Sequence, residues 1–262
     1  MNIPEKFIEV CRFINKKILW IIFVPIVLDL ANLLTWEKVY HTVYYPVQKL
    51  FMIKFGIIGA PPSVNYLFED FPSLLFKYDS NGYSGIISRI SVFNVALCIT
   101  VILIVSFINS GYMSIISTGC SEKVGIRDFF VKGNKLWYKF FLLDCVTWFP
   151  LTLMAFNKNF LFFSFIFVIF VYVQYSFVSD EVSILENFRL GIVFFFNKLG
   201  LTIKMALYFG IVFSIISVVV FPILSLGKIG IFIDIVICAY FGAVINRAVL
   251  EIYVAERNTI DR

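Results

Sequence analysis

Residues 121–140 read Ser-Glu-Lys-Val-Gly-Ile-Arg-Asp-Phe-Phe-Val-Lys-Gly-Asn-Lys-Leu-Trp-Tyr-Lys-Phe. Residues 179–198, fifty-eight positions on, read Ser-Asp-Glu-Val-Ser-Ile-Leu-Glu-Asn-Phe-Arg-Leu-Gly-Ile-Val-Phe-Phe-Phe-Asn-Lys. Without a gap, Ser121 lies over Ser179, Val124 over Val182, Ile126 over Ile184, Phe130 over Phe188 and Gly133 over Gly191. Asp128 lies over Glu186. A long apolar run stands on each side of both copies. A polar stretch between two apolar runs predicts an elbow joining two membrane helices, and here the elbow is made twice.

Each elbow carries the chemistry of a helix start. Ser183 and Glu186 have the spacing of a capping box, in which the hydroxyl takes a free N–H and the carboxylate reaches back. Gly125 and Asp128 are the weaker counterpart, since Gly is an acceptable N-cap. Ile126, Phe129 and Phe130 make one apolar stripe; Ile184 and Phe188 make the other. Gly133 and Gly191 stand where a two-turn helix is expected to stop. The elbows are therefore expected to lie flat on the inner leaflet as scaffold.

Composition agrees with a membrane setting. Apolar residues make up 60% of the chain, against about 45–50% in a soluble domain. Runs of about 18 apolar residues or more are the mark of a membrane helix, and several occur. The predicted class is all-α, polytopic, with six spans near residues 18–36, 90–118, 136–156, 160–178, 199–224 and 229–254. Residues 1–262 read as a single membrane domain, with repeats over about 92–156 and 150–214. Residues 1–17 are expected to form an amphipathic interfacial helix. Pro25 is expected to kink the first span. Residues 37–88 are aromatic-rich and broken by Pro61-Pro62, Pro72 and Asn81-Gly82, which predicts two or three short helices at the outer interface. Asn157-Lys158-Asn159 reads as a tight external turn.

Fifteen of the 22 Lys and Arg residues fall on one side of this layout. The positive-inside rule places both termini in the cytoplasm and the chain in the cell membrane. The net charge of +5 sits mostly beside apolar runs, without Arg-rich blocks, so nucleic acid is not an expected partner. Membrane lipids are, together with a membrane-protein partner or a second copy. Cys11, Cys98, Cys120, Cys145 and Cys238 are scattered, without a CxxC pair, so neither disulfide nor zinc is expected. His41 is the one histidine. No GxSxG, HExxH, Walker A or GxGxxG motif occurs. The chain is expected to be non-catalytic, with no cofactor.

Asp128-Phe-Phe-Val-Lys132-Gly133-Asn134-Lys-Leu-Trp137 resembles the capped acidic helix and basic-Gly-Asn-aromatic step of YciC-type bacterial membrane proteins. It is similar, too, to the membrane domain beside some glycerophosphodiester phosphodiesterases. The second elbow departs from that pattern, since Leu190-Gly191-Ile192 lacks the basic residue and the Asn. The resemblance covers about residues 111–204. It implies a helical membrane domain tied to lipid or envelope homeostasis, and it carries over no catalytic residue.

Ionisable groups inside spans are site candidates by default. They are Asp29, Asp144, Lys204 and Asp234. The repeat brings Asp144 and Lys204 to similar depth and predicts a pair between them, structural or functional. Asp29 and Asp234 are expected in the outer halves of the first and sixth spans, facing a polar cleft with Asn32 and Asn94, or satisfied by a neighbouring hydroxyl. Arg247 and Glu251 read as a solvated or interfacial i,i+4 pair. Two function classes stand open: a non-catalytic module of lipid or envelope homeostasis, and a transporter or permease-like component for a small or amphipathic substrate.

Overall fold

The structure is a computed structural model. It describes residues 2–41, 43–44, 54, 56–68, 71–72, 77–79, 82–84, 91–119, 124–156, 168–257 and 259. Residues 120–123, the turn at 157–159, residues 160–167 of the expected fourth span and much of the aromatic loop lie outside the described residues. So does the side chain of Asn94.

Helix dominates what is described. α1 is Ile3–Phe13 and α2 is Phe23–Tyr40, joined by a π turn at Ile14–Ile18 and a 3-10 turn at Leu19–Ile22. A 3-10 turn at Val64–Tyr66 and an antiparallel hairpin, β1 Lys77–Asp79 with β2 Gly82–Ser84, follow. Then come α3 Val92–Ile116, α4 Ile126–Phe156, α5 Val173–Ser179, α6 Ile184–Asn197, α7 Leu199–Ile223 and α8 Lys228–Arg257. Among the described residues, four stretches are long and apolar enough to cross a membrane: Ile3–Lys38, Val95–Ile116, Leu199–Leu226 and Lys228–Arg257. Contacts group the chain into two compact units, one of residues 1–72, 118–124 and 198–262, the other of residues 73–117 and 125–197.

In the first unit the Ile3–Lys38 stretch and α7 both run antiparallel to α8. Lys228 Nζ at the start of α8 lies 2.9 Å from Glu37 Oε2, and Lys6 Nζ lies 2.6 Å from Glu251 Oε2 near its end. Lys198 Nζ, just before α7, lies 2.8 Å from Glu256 Oε2. Gly230 sits so close to the Ile223 carbonyl that a Cβ there would overlap it. α8 is the centre of this unit, with every residue from Gly242 to Leu250 buried. α7 leaves Ile203, Leu207, Ile211 and Ile215 exposed, an apolar row at four-residue spacing.

Val10, Ile14 and Ile18 are buried on one continuous face. The irregularity falls at Ile18, where the backbone leaves the helical region (φ −134°, ψ 27°). Pro25 lies in the first turn of α2, just after the 3-10 turn. A proline has no N–H to offer the carbonyl four residues back, and the preceding turn tightens accordingly.

In the second unit α3 packs on α4, and residues 168–179 pack on α6. Here the sequence expectation for the elbow glycines is corrected. Gly133 lies inside α4 and Gly191 inside α6; neither ends a helix. A Cβ on Gly133 would meet the Gly111 backbone at 3.0 Å, and one on Gly191 would meet the Val173 Cα at 2.8 Å. The glycines are small because another helix crosses there, as small residues allow at close helix contacts. Ser110 Oγ donates to the Gly133 carbonyl (2.8 Å) at the same crossing.

The caps divide between the copies. In the first, Asp128 Oδ2 accepts from Gly125 N (2.8 Å). In the second, Ser183 Oγ accepts from Glu186 N (3.4 Å), and Glu186 holds Arg189 at 3.3 Å. The turn before α6 is closed by side chains. Ser176 Oγ lies 2.9 Å from both Asp180 Oδ2 and Asn187 Oδ1, while Asn187 Nδ2 and Lys139 Nζ donate to the Val182 carbonyl (3.2 and 3.1 Å).

Candidate functional site

The long connection does not stay at one end of the helices. Lys54 N donates to Ser214 Oγ at 2.9 Å, and Gly56 N donates to the Ala206 carbonyl at 3.3 Å, two turns nearer the start of α7. The Gly59 carbonyl accepts from Asn246 Nδ2 at 3.0 Å. Asn246 is about 27 Å along α8 from its Lys228 end, at a rise of about 1.5 Å per residue. The chain then turns back. Pro62 and Ile58 press on Gly242, and the Ser63 carbonyl accepts from the Cys238 thiol (3.2 Å).

Residues 56–68 are thus inserted among the helices of the first unit. Ile58, Val64 and Leu67 are fully buried there. Tyr66 stacks edge-on against Phe213, with centroids 4.8 Å apart, and its hydroxyl donates to the Gly56 carbonyl (3.1 Å). The aromatic content read as interfacial anchoring serves, at Tyr66 and Phe71, to fill the core. Among the described residues this region holds a 3-10 turn and a hairpin where two or three short helices were expected.

Asp29 holds the inserted segment in place. Its Oδ1 accepts from Ser63 Oγ at 2.7 Å, and its Oδ2 from Val64 N at 2.8 Å. Both oxygens are used, and the residue is 2% exposed. The carboxylate stands where a helix cap would, at the first residue of the Val64–Tyr66 turn. Asp29→Asn keeps one acceptor and turns an amide toward the other donor. The loss is expected to be about 1–2 kcal/mol, read as a lowered midpoint in thermal unfolding in detergent.

Asp234 has no such support. It is fully buried in α8, and among the described residues neither carboxylate oxygen meets a hydrogen-bond donor. One turn further along the helix is Cys238. Gly230, Asp234, Cys238, Gly242 and Asn246 recur every four residues, the spacing of a helix ridge. Three successive members of that ridge, Cys238, Gly242 and Asn246, seat the inserted segment. Sequence reasoning singled out Asp234 and missed the other four. Their four-residue spacing was the available signal.

In the second unit Asp144 Oδ2 lies 2.6 Å from Ser106 Oγ and 3.4 Å from Asn109 Nδ2, both on α3. Ser106 Oγ also lies 2.7 Å from the Ile102 carbonyl, so its single proton serves one acceptor at a time. Asp144 and Lys204 fall in different units, and each is described within its own; Lys204 is exposed on α7.

Of the Arg247–Glu251 pair, the arginine is buried rather than at a surface, while Glu251 stays partly exposed. Arg247 is 6% exposed. Its Nε lies 2.6 Å from Glu251 Oε1, its guanidinium donates to the Thr118 carbonyl (2.9 Å), and it sits 4.6 Å from the centre of the Phe13 ring. Lys6 completes the cluster on Glu251. Among the described residues no group of three or more His, Cys, Asp or Glu side chains is placed to hold a metal ion.

No protein family, curated protein or solved structure matches this chain.

Proposed function

We propose that this chain is a non-catalytic integral protein of the cell membrane, acting in lipid or envelope homeostasis or as the membrane partner of another protein. In this reading the chain has six spans, α4 and residues 160–178 supplying the two beyond the four apolar stretches. Both termini are cytoplasmic, the two elbows form a parallel repeat, and residues 56–68 are re-entrant.

The observation that supports it best is where the polar groups go. Irregular backbone at membrane depth is tolerated only where it is enclosed by protein or lines a wet cavity. Here Asp29, Asn246 and the Ala206 carbonyl meet the polar groups of the inserted segment. Asp144 is likewise held by Ser106 and Asn109. Two of the four intramembrane charges therefore act as internal fastenings. The apolar row on α7 and the resemblance of residues 128–137 to YciC-type proteins point the same way.

The test compares cells with and without the chain. Its loss is expected to alter membrane lipid composition and admit dyes through the envelope. Unchanged lipids and an intact envelope, with solute accumulation by liposomes that contain the chain, would overturn this in favour of transport. One observation favours that second reading, the unpaired Asp234.

A further inference from the structure

Asp234 is the exception among the described carboxylates of the first unit that are not exposed. Glu37 is paired with Lys228, Glu251 with Lys6 and Arg247, Glu256 with Lys198, and Asp29 is held by Ser63 and Val64. Asp234 is as buried as any of them and meets no donor among the described residues. A buried carboxylate without a donor or countercharge costs several kcal/mol, so such groups are neutralised or paired.

We propose that Asp234 is a proton-binding site, loaded in the structure described here and exchanged with water when the inserted segment lifts from α8. The geometry supplies three reasons. The first is that neither oxygen meets a donor among the described residues. The second is position: Asp234 is the next member of the ridge whose Cys238, Gly242 and Asn246 seat residues 56–68. Movement of that segment therefore uncovers the neighbouring step of α8. The third is chemistry. A lone carboxylate binds a proton without needing any further ligand.

The ionisable groups that the described residues of the first unit bring to this part of α8 fit this. α8 itself brings Cys238, whose thiol is committed to the Ser63 carbonyl. The Ile3–Lys38 stretch brings Asp29, with both oxygens occupied, and Glu37, paired with Lys228. The inserted segment brings Tyr66, bonded to Gly56, and Lys54 beside it carries its ammonium 5.9 Å from the centre of the Tyr66 ring. The end of α7 that meets Gly230 brings Ile223 and Leu224, with no ionisable group.

The proposal rests on α8 being a membrane span, and alkaline carbonate extraction checks that separately. Release of the chain from membranes by that wash would end the span reading rather than the site. For the site, the full chain in liposomes is treated with a hydrophobic carbodiimide, which adds to protonated carboxyls in apolar surroundings, and adducts are located by mass spectrometry. An adduct on Asp234 is expected, declining about tenfold per pH unit once the buffer is alkaline enough to withdraw the proton. In infrared pH-difference spectra, Asp234→Asn is expected to remove one protonated-carboxyl band. Three results overturn the proposal: no adduct on Asp234, an adduct indifferent to pH, or an adduct blocked by sodium or magnesium ions at constant pH. The labelling uses the unaltered protein, so it decides the matter even where Asp234→Asn does not fold.

Discussion

Glu251→Ala is expected to lower the stability of this chain by about 3–5 kcal/mol, the largest single effect in the first unit. Glu251 stands between two cations, Lys6 at 2.6 Å and Arg247 at 2.6 Å. Removing it takes from the 6%-exposed guanidinium of Arg247 a carboxylate at 2.6 Å, and leaves Lys6 with Glu9 at 2.9 Å. Arg247→Ala is expected to cost less, because Glu251 keeps Lys6. The double variant Arg247→Met with Glu251→Leu is expected to be more stable than Glu251→Ala alone, since no buried charge is stranded. Thermal unfolding in one detergent gives all three values. Equal losses for the two single variants would show that the cluster acts through packing rather than charge.

Gly242→Ala is expected to expel residues 56–68 from the helices. The added Cβ would overlap Pro62 and come within 3.3 Å of Ile58. Neither neighbour can give way by rotating a flexible tip, since one is a proline ring and the other is wedged at 2% exposure. Relief comes by lifting the segment, which breaks its bonds to Asn246, Cys238 and Asp29 together. Overpacking alone costs about 1–3 kcal/mol; with the lost bonds the expected total exceeds about 3 kcal/mol. Cys238 supplies a direct reporter. Its thiol is fully buried, and it is expected to resist a maleimide in the unaltered protein and to react in Gly242→Ala. Gly200→Ala is the matched control. Nothing lies within 4 Å of its added Cβ, and Ala favours a helix over Gly by about 1 kcal/mol. An unreactive Cys238 in Gly242→Ala would mean that the segment is held by more than this seat.

Some of this was legible in the residues. Apolar runs at residues 18–36, 90–118, 199–224 and 229–254 announce helices of membrane grade, because run length and hydropathy are local properties. The caps at Asp128 and Ser183 were legible for the same reason, since a cap bonds three residues along its own chain. Gly133 and Gly191 were misread because a glycine that ends a helix and a glycine that admits a neighbour look alike until the neighbour is placed. Arg247 and Glu251 were read as an i,i+4 surface pair. Thr118, Phe13 and Lys6, which enclose them, are far away in sequence.

The inserted segment shows the division most clearly. Pro61-Pro62, the short side chains around them and the aromatics on either side say only that residues 56–68 are not a helix. Whether such a stretch lies outside the helices or among them depends on finding partners for its backbone polar groups. Those partners are Ala206, Asn246 and Asp29, on three different helical stretches. Local order thus settles that the chain is helical, apolar and membrane-like, with its polar turns between long runs. Packing decides which carboxylates become fastenings and which one is left unpaired, because burial without a partner is a property of the assembled unit and of no single stretch.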